Sequence, residues 1–125
     1  MEFRNNEAIY VQIANYMSEQ ILLGKWEINE KIPSVRETAT ELEVNPNTVM
    51  RSYEQLQQAD IIFNKRGIGF FVSPNSHQLI KKQQREQFMQ EELPIFFRKI
   101  YLLGIPLEEI REKYNSYITA TYKNK

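Results

Sequence analysis

The 125-residue chain balances sixteen Lys and Arg against sixteen Asp and Glu, for a formal net charge of zero, and 42% of it is apolar. That size suits one domain, or one small domain with an oligomerisation arm. The absence of cysteine excludes disulfides, thiolate zinc sites and a cysteine nucleophile. The opening stretch from Met1 to Glu7 has no apolar run behind a positive flank, and no segment reaches the roughly 18 apolar residues of a membrane span. The expected location is therefore the cytoplasm, with no membrane partner.

The first helical signal runs from about Ala8 to Leu23. Ile9, Ile13, Met17 and Ile21 recur every four residues, with Ala14 and Leu22 beside them. This makes one apolar stripe, with Gln12, Glu19 and Gln20 largely outside it. Gly24 ends the pattern. Trp26, Ile28, Ile32 and Pro33 follow in a connector too irregular for a second long helix. Ser34 with Glu37 three residues on is a capping-box signal, opening a helix from Val35 to about Leu42 that buries Val35, Ala39 and Leu42. After Glu43 and Val44, Asn45 reads as an N-cap and Pro46 as the first helical residue, where a missing N–H costs nothing. Val49, Tyr53 and Leu56 give that helix its inner face as far as about Asp60. Two short helices with a tight connection form a helix-turn-helix pattern.

Ile61-Ile62-Phe63 and Phe70-Phe71-Val72 are strand-like runs on either side of a basic, glycine-bearing tip, Lys65-Arg66-Gly67-Ile68-Gly69. A hairpin directly after a helix-turn-helix is a wing. Ser73-Pro74-Asn75-Ser76 is a break, and divides residues 1–75, a winged helix-turn-helix, from residues 76–125, a helical tail. The tail continues to about Leu103, with a bend expected at Pro94. After the turn at Gly104-Ile105-Pro106, a last helix carries Leu107, Ile110, Tyr114, Tyr117 and Thr121 at heptad-like spacing. The expected fold class is mainly α with a small β-hairpin, a winged helix-turn-helix followed by a two-helix dimerisation arm.

From Ile9 to Val72 the chain resembles the GntR family of bacterial regulators. The resemblance rests on four pieces in order: Ile9 to Ile13; Lys31-Ile32-Pro33-Ser34-Val35-Arg36-Glu37; Val44 to Leu56, including Asn45-Pro46-Asn47-Thr48-Val49; and Lys65 to Val72. About fifty residues follow, fewer than the effector-binding domain of most of its subfamilies. The stretch from Leu93-Pro94 through Leu102-Leu103-Gly104-Ile105-Pro106 to Ile110 is similar to the short two-helix tail of the YtrA-type subfamily, where it is a dimerisation arm. There are departures. Asp60 and Glu43 stand where relatives usually have glycine, and Met50 stands where several relatives place a DNA-contacting arginine, with Arg51 one residue later.

The helix opened by Pro46 is the expected recognition helix, whose first turn enters the major groove. Asn45, Asn47 and Thr48 are short and polar there. Asn pairs bidentately with adenine, and Thr meets a phosphate or a thymine methyl; the competing role is simple helix capping, which fits Asn45 in any case. The resemblance implies DNA contacts at Arg36 and Arg51, where the bland alternative for Arg36 is a surface salt bridge. Lys65, Arg66 and Gly67 form the wing tip, suited to phosphate or the minor groove. Against a nucleic-acid partner stands the local charge. Residues 1–75 hold seven Lys and Arg against ten Asp and Glu, a net of −3, and residues 76–125 hold nine against six, a net of +3. The field at the contact face, not the sum, decides.

Trp26, Phe63, Phe70 and Phe71 are expected to seal the winged domain. Phe88, Phe96, Phe97, Tyr101, Tyr114 and Tyr117 exceed what a two-helix tail buries alone, so a second copy of the chain is expected to cover them. The expected dimer contacts are Phe97, Tyr101, Leu107, Ile110, Tyr114 and Tyr117. His77 is the only histidine, with no partner for a metal site or a triad. Glu91-Glu92 and Glu108-Glu109 are adjacent on helices and point apart. Gly67-Ile68-Gly69 lacks the helix a phosphate loop needs. No catalytic constellation, metal site or cofactor is expected. Three readings stand: a DNA-binding regulator, probed by duplex binding and working as a repressor by occlusion; a regulator gated by an unknown small-molecule effector in the aromatic dimer cleft; and a winged-helix protein-interaction module that does not bind DNA.

Overall fold

The structure, a computed structural model, describes residues 1–123; the last two residues of the expected tail lie outside it. The chain forms two compact units, Met1–Gln83 and Gln84 onward. The first contains α1 (Ile9–Leu22), α2 (Val35–Leu42), α3 (Pro46–Gln58), β1 (Ile62–Lys65), β2 (Gly69–Val72) and the opening turns of α4 (Ser76–Gln87). The sequence break at Ser73–Ser76 starts α4. The compact unit extends further because Ser76 and Ile80 of α4 are buried in it.

α3 is central. It packs against α1, α2 and β1. Ile13, Ala14, Met17 and Ile21 of α1 meet Val49, Tyr53 and Leu56 of α3, and Ile32, Ala39, Ile61, Ile62, Val72 and Ile80 close the core. Two expectations for α1 change. Ile9, at the head of the stripe, is 44% exposed. Gln12 is buried although it lies off the stripe, because the N-terminal segment folds over it. Its amide nitrogen donates to the carbonyls of Arg4 and Glu7, and its Oε1 accepts from the N–H of Arg4, each at 2.8 Å. A buried polar side chain is stable only when its groups are paired in this way.

The hairpin pairs Ile62 with Val72 and Lys65 with Gly69 in antiparallel register. The connector before α2 also joins it: Lys31 bridges Phe71, the N–H of Ile32 donates to the carbonyl of Phe70, and the N–H of Val72 donates to the carbonyl of Glu30. The outer edge of β2 is thus paired rather than left open.

Four helices end alike. The N–H groups of Lys25, Val44, Ile61 and Ile105 each reach back to a carbonyl five residues earlier, at Gln20, Ala39, Leu56 and Ile100. This is the six-to-one bond of a Schellman ending, which requires a left-handed residue just before the donor. Gly24 and Gly104 fill that place in α1 and α5 (Leu93–Leu102). Glu43 (φ 56°) and Asp60 (φ 61°) fill it after α2 and α3, so the two departures from glycine both sit in left-handed backbone.

In the second unit, a π-helical stretch at Phe88–Glu92 follows α4, and then come α5, α6 (Leu107–Ile118) and a second π-helical stretch at Thr119–Lys123. At Pro94, where the sequence suggests a bend, the helix changes type: the π-helical stretch ends and α5 begins. Pro94 has no N–H and its ring excludes the carbonyl four residues back. The hydrogen bonds loosen before it, and Pro94 falls in the first turn of α5, where no donor is needed. Neither α5 nor α6 contains a buried residue.

Left-handed backbone costs a non-glycine residue roughly 1–2 kcal/mol, offset by glycine's greater loss of freedom on folding. Glu43→Gly and Asp60→Gly are each expected to raise the free energy of unfolding by up to about 1 kcal/mol, read as a higher urea midpoint with unchanged slope. A lower midpoint in both would mean that their side chains stabilise these endings.

Candidate nucleic-acid interface

The Tyr53 hydroxyl positions α2 against α3. It donates to the carbonyl of Pro33 at 2.6 Å and accepts from Thr38 Oγ1 at 2.8 Å. Its ring meets Phe70 of β2 edge-on, with centroids 5.0 Å apart. Burial pushes the phenol up to about 12, with the Thr38 hydrogen bond acting in the opposite direction. Ser52 ties α3 to α1 by donating to the carbonyl of Tyr10 at 2.7 Å.

At the start of α2, Ser34 Oγ accepts from the N–H of Glu37 at 3.1 Å, and the Glu37 carboxylate accepts from the N–H of Ser34 at 2.9 Å. The backbone hydrogen bond from Ser34 holds the Glu37 carboxyl below its ordinary range. Arg36 follows, exposed and, among the described residues, in no salt bridge. It borders a groove of about 300 Å³ with Lys31, Ile32, Ser34, Val35 and Ile68. That groove brings the start of α2 and the wing tip together. Lys31 comes from the connector, and its aliphatic chain passes where a side chain at Gly69 would sit: a Cβ there would lie 2.9 Å from Lys31 Cε. The flexible lysine can move aside, so it is the φ of 141° that calls for glycine at this position. Lys31 was not among the expected contacts. Its one signal was its place two residues before the Pro33-Ser34 helix start.

Asn45 caps α3, its side chain accepting from the N–H of Asn47 at 2.8 Å. Asn45 and Asn47 are exposed, and Thr48 is half-buried. Arg51 is exposed, but its guanidinium lies 4.0 Å from the centroid of the Tyr10 ring, drawn toward α1. The wing cations differ. Lys65 Nζ lies 4.4 Å from the centroid of Phe71, along the stacked Phe63–Phe71 pair. Arg66 stands at the tip beside Gly67, whose φ of 80° suits the glycine position of a type II turn. The connector before α2, the start of α2, the first turns of α3 and the wing thus carry Lys31, Arg36, Arg51, Lys65 and Arg66, five of the seven Lys and Arg among residues 1–75. The negative sum does not describe these elements.

Three helices, a capped and exposed first turn on the third, and a paired wing with a basic tip define a winged helix-turn-helix. Residues 9–72 match the family model of bacterial regulatory proteins of the gntR family. The chain belongs to the GntR family.

GntR relatives agree over nearly the whole length. The HTH-type transcriptional repressor YtrA of Bacillus subtilis is 34% identical over 109 residues, 87% of this chain and 83% of that protein. The uncharacterised HTH-type transcriptional regulator YhcF of the same organism is 31% identical over 111 residues, 89% of this chain and 90% of YhcF. A crystal structure described as a GntR-family transcriptional regulator from Bacteroides thetaiotaomicron matches with a TM-score of 0.81 at 50% identity, covering 90% of this chain and 98% of that one. The match therefore includes the short tail, as in the YtrA-type subfamily. The chain is a transcriptional regulator with a DNA-binding domain, not an enzyme. Among the described residues no helix is long and apolar enough to cross a membrane.

Tyr53→Phe is expected to cost about 1–3 kcal/mol, because it strands the half-buried Pro33 carbonyl and the buried Thr38 hydroxyl. It also changes the response to alkali. An unfolded tyrosine loses its proton near 10 and the folded one near 12. The tyrosine's contribution is full below pH 10 and falls between about pH 10 and 12. Melting temperatures in that window should fall less steeply for Tyr53→Phe than for the wild type. Parallel curves would contradict the burial of this hydroxyl.

Proposed function

We propose that the protein is a cytoplasmic repressor that binds an inverted-repeat operator as a homodimer. The winged unit is the DNA-binding domain and the two-helix tail is the dimerisation arm. The observation that carries this reading is the bare face of the tail. Phe97, Leu107, Tyr114 and Tyr117 are exposed, and Tyr101 is 83% exposed; Ile110 is half-buried. Large apolar patches of this kind on a soluble protein mark interaction sites. Two identical short helices offer each other a self-complementary surface through a two-fold axis. The similarity to the repressor YtrA along the tail as well as the wing supports the same reading.

In this reading Asn47 and Thr48 meet base edges at the start of α3, with Asn45 as the cap. Arg36, Arg51, Lys65 and Arg66 meet phosphates, and Gly67 lets the wing backbone approach the duplex. Lys31 joins the phosphate contacts through the groove it shares with Arg36. Repression follows from occupancy of the promoter and needs no further activity.

Sedimentation of the full chain at micromolar concentration should show a dimer. Leu107→Glu should shift it to monomer and weaken operator binding by roughly 10²–10⁴, the gain that linking two half-sites provides. A monomeric wild type would contradict the arm. The contacts divide by role. Neutral substitution of Arg36 or Arg66 should weaken all duplexes alike and flatten the log–log salt dependence by about one unit. Asn47→Ala should cost on the order of 1–3 kcal/mol on the operator with little change on scrambled DNA. Equal loss on both duplexes would remove Asn47 as a reader. A folded wild type that binds no duplex would favour a protein-interaction role.

A further inference from the structure

The face of α3 turned away from the core carries Asn47, Met50, Arg51 and Glu54, spaced to share one side of the helix. All four are exposed, while Val49, Ser52, Tyr53 and Leu56 are buried. The face holds one cation, and that cation is engaged: the Arg51 guanidinium lies over the Tyr10 ring at 4.0 Å. Glu54 is an acceptor only. Between Asn47 and Glu54 lies Met50, 37% exposed and one turn after the first residues of the helix. Met50 belongs neither to the core nor to the partly buried residues packed against it. The fold does not need an apolar side chain here, yet one occupies the middle of the face that the winged architecture turns toward its target.

We propose that Met50 is a specificity-determining residue that reads a thymine methyl in the major groove. This rests on the reading of α3 as the recognition helix. The methyl on C5 of thymine is the one apolar feature on the major-groove edges of the four bases. A methionine thioether is unbranched, flexible and polarisable, and it adapts to such a small apolar knob. It has no donors for the N7 and O6 acceptors of guanine, which an arginine at the same place would take. With Asn47 one turn earlier suited to adenine, α3 selects A·T pairs where it lies in each half-site. Loss of one methyl contact should weaken binding by about fourfold, the transfer free energy of a single buried methylene-sized group.

The test is a uridine scan. A duplex selected by the wild-type protein from random sequence is resynthesised with each thymine replaced in turn by deoxyuridine, which deletes the methyl and keeps every hydrogen-bonding group. Wild type, Met50→Ala and Met50→Leu are titrated on each duplex. Alanine is the best helix former, so the helix survives, and melting curves verify it. The expected result is one symmetric position per half-site where uridine weakens the wild type about fourfold. Met50→Leu should keep that penalty and Met50→Ala should lose it. A wild type indifferent to uridine everywhere would overturn the proposal. So would a penalty that Met50→Ala retains, which would assign the methyl to another side chain such as Thr48. A wild type that selects no duplex at all would reject the recognition-helix reading itself, and this proposal with it.

Discussion

The buried hydroxyl of Tyr53 sets the geometry on which the winged unit depends. One side chain of α3 reaches the Pro33 carbonyl just before α2, the Thr38 hydroxyl inside α2, and the Phe70 ring on β2. A buried hydroxyl is costly unless paired and worth most when both its donor and acceptor roles are used. Here both are used. The start of α2, the wing strand and the outward face of α3 are therefore tied to one another through one side chain, its hydroxyl meeting α2 and its ring meeting β2. Ser52, the next residue back, ties the same helix to the first turn of α1. The exposed Asn47, Met50 and Arg36 inherit their positions from this buried frame, so the candidate contact face is held rigidly.

Local chemistry outweighs the charge sum for the same reason. Residues 1–75 are net acidic, but the Glu37 carboxylate is engaged in capping α2. The cations cluster at the groove and the wing, where Lys31, Arg36 and Arg66 stand. The second unit follows the opposite logic. Its helices α5 and α6 bury nothing of their own, and Tyr101 and Leu103 are the most exposed of its large apolar side chains.

Much of this was legible in the residues because each signal had a local cause. Ser34 with Glu37, Asn45 with Pro46, and the glycine-bearing hairpin tip each name a backbone geometry, and each stands where expected. What was not legible depends on contacts between distant segments. Gln12 reads as a solvent-facing residue by helical period alone; it is buried because residues 4–7 fold over it. The Asn29–Ile32 connector has no strand alternation, yet it pairs with β2 because that edge is within reach. Arg51 and Lys65 look like free cations in sequence, and both lie on aromatic rings that the fold brings to them. The resemblance to the family points to candidate contact positions; only the packing distinguishes cations engaged on aromatic rings from the others.

In the proposed assembly, two such frames joined through their tails read DNA as a pair. Selection of bound sequences from random duplexes with the purified full-length chain tests it most directly. The expected result is an enriched inverted repeat whose half-site centres lie about one helical turn apart, roughly 10 base pairs or a multiple of it. Enrichment of a single asymmetric block, or no enrichment from a folded protein, would contradict it.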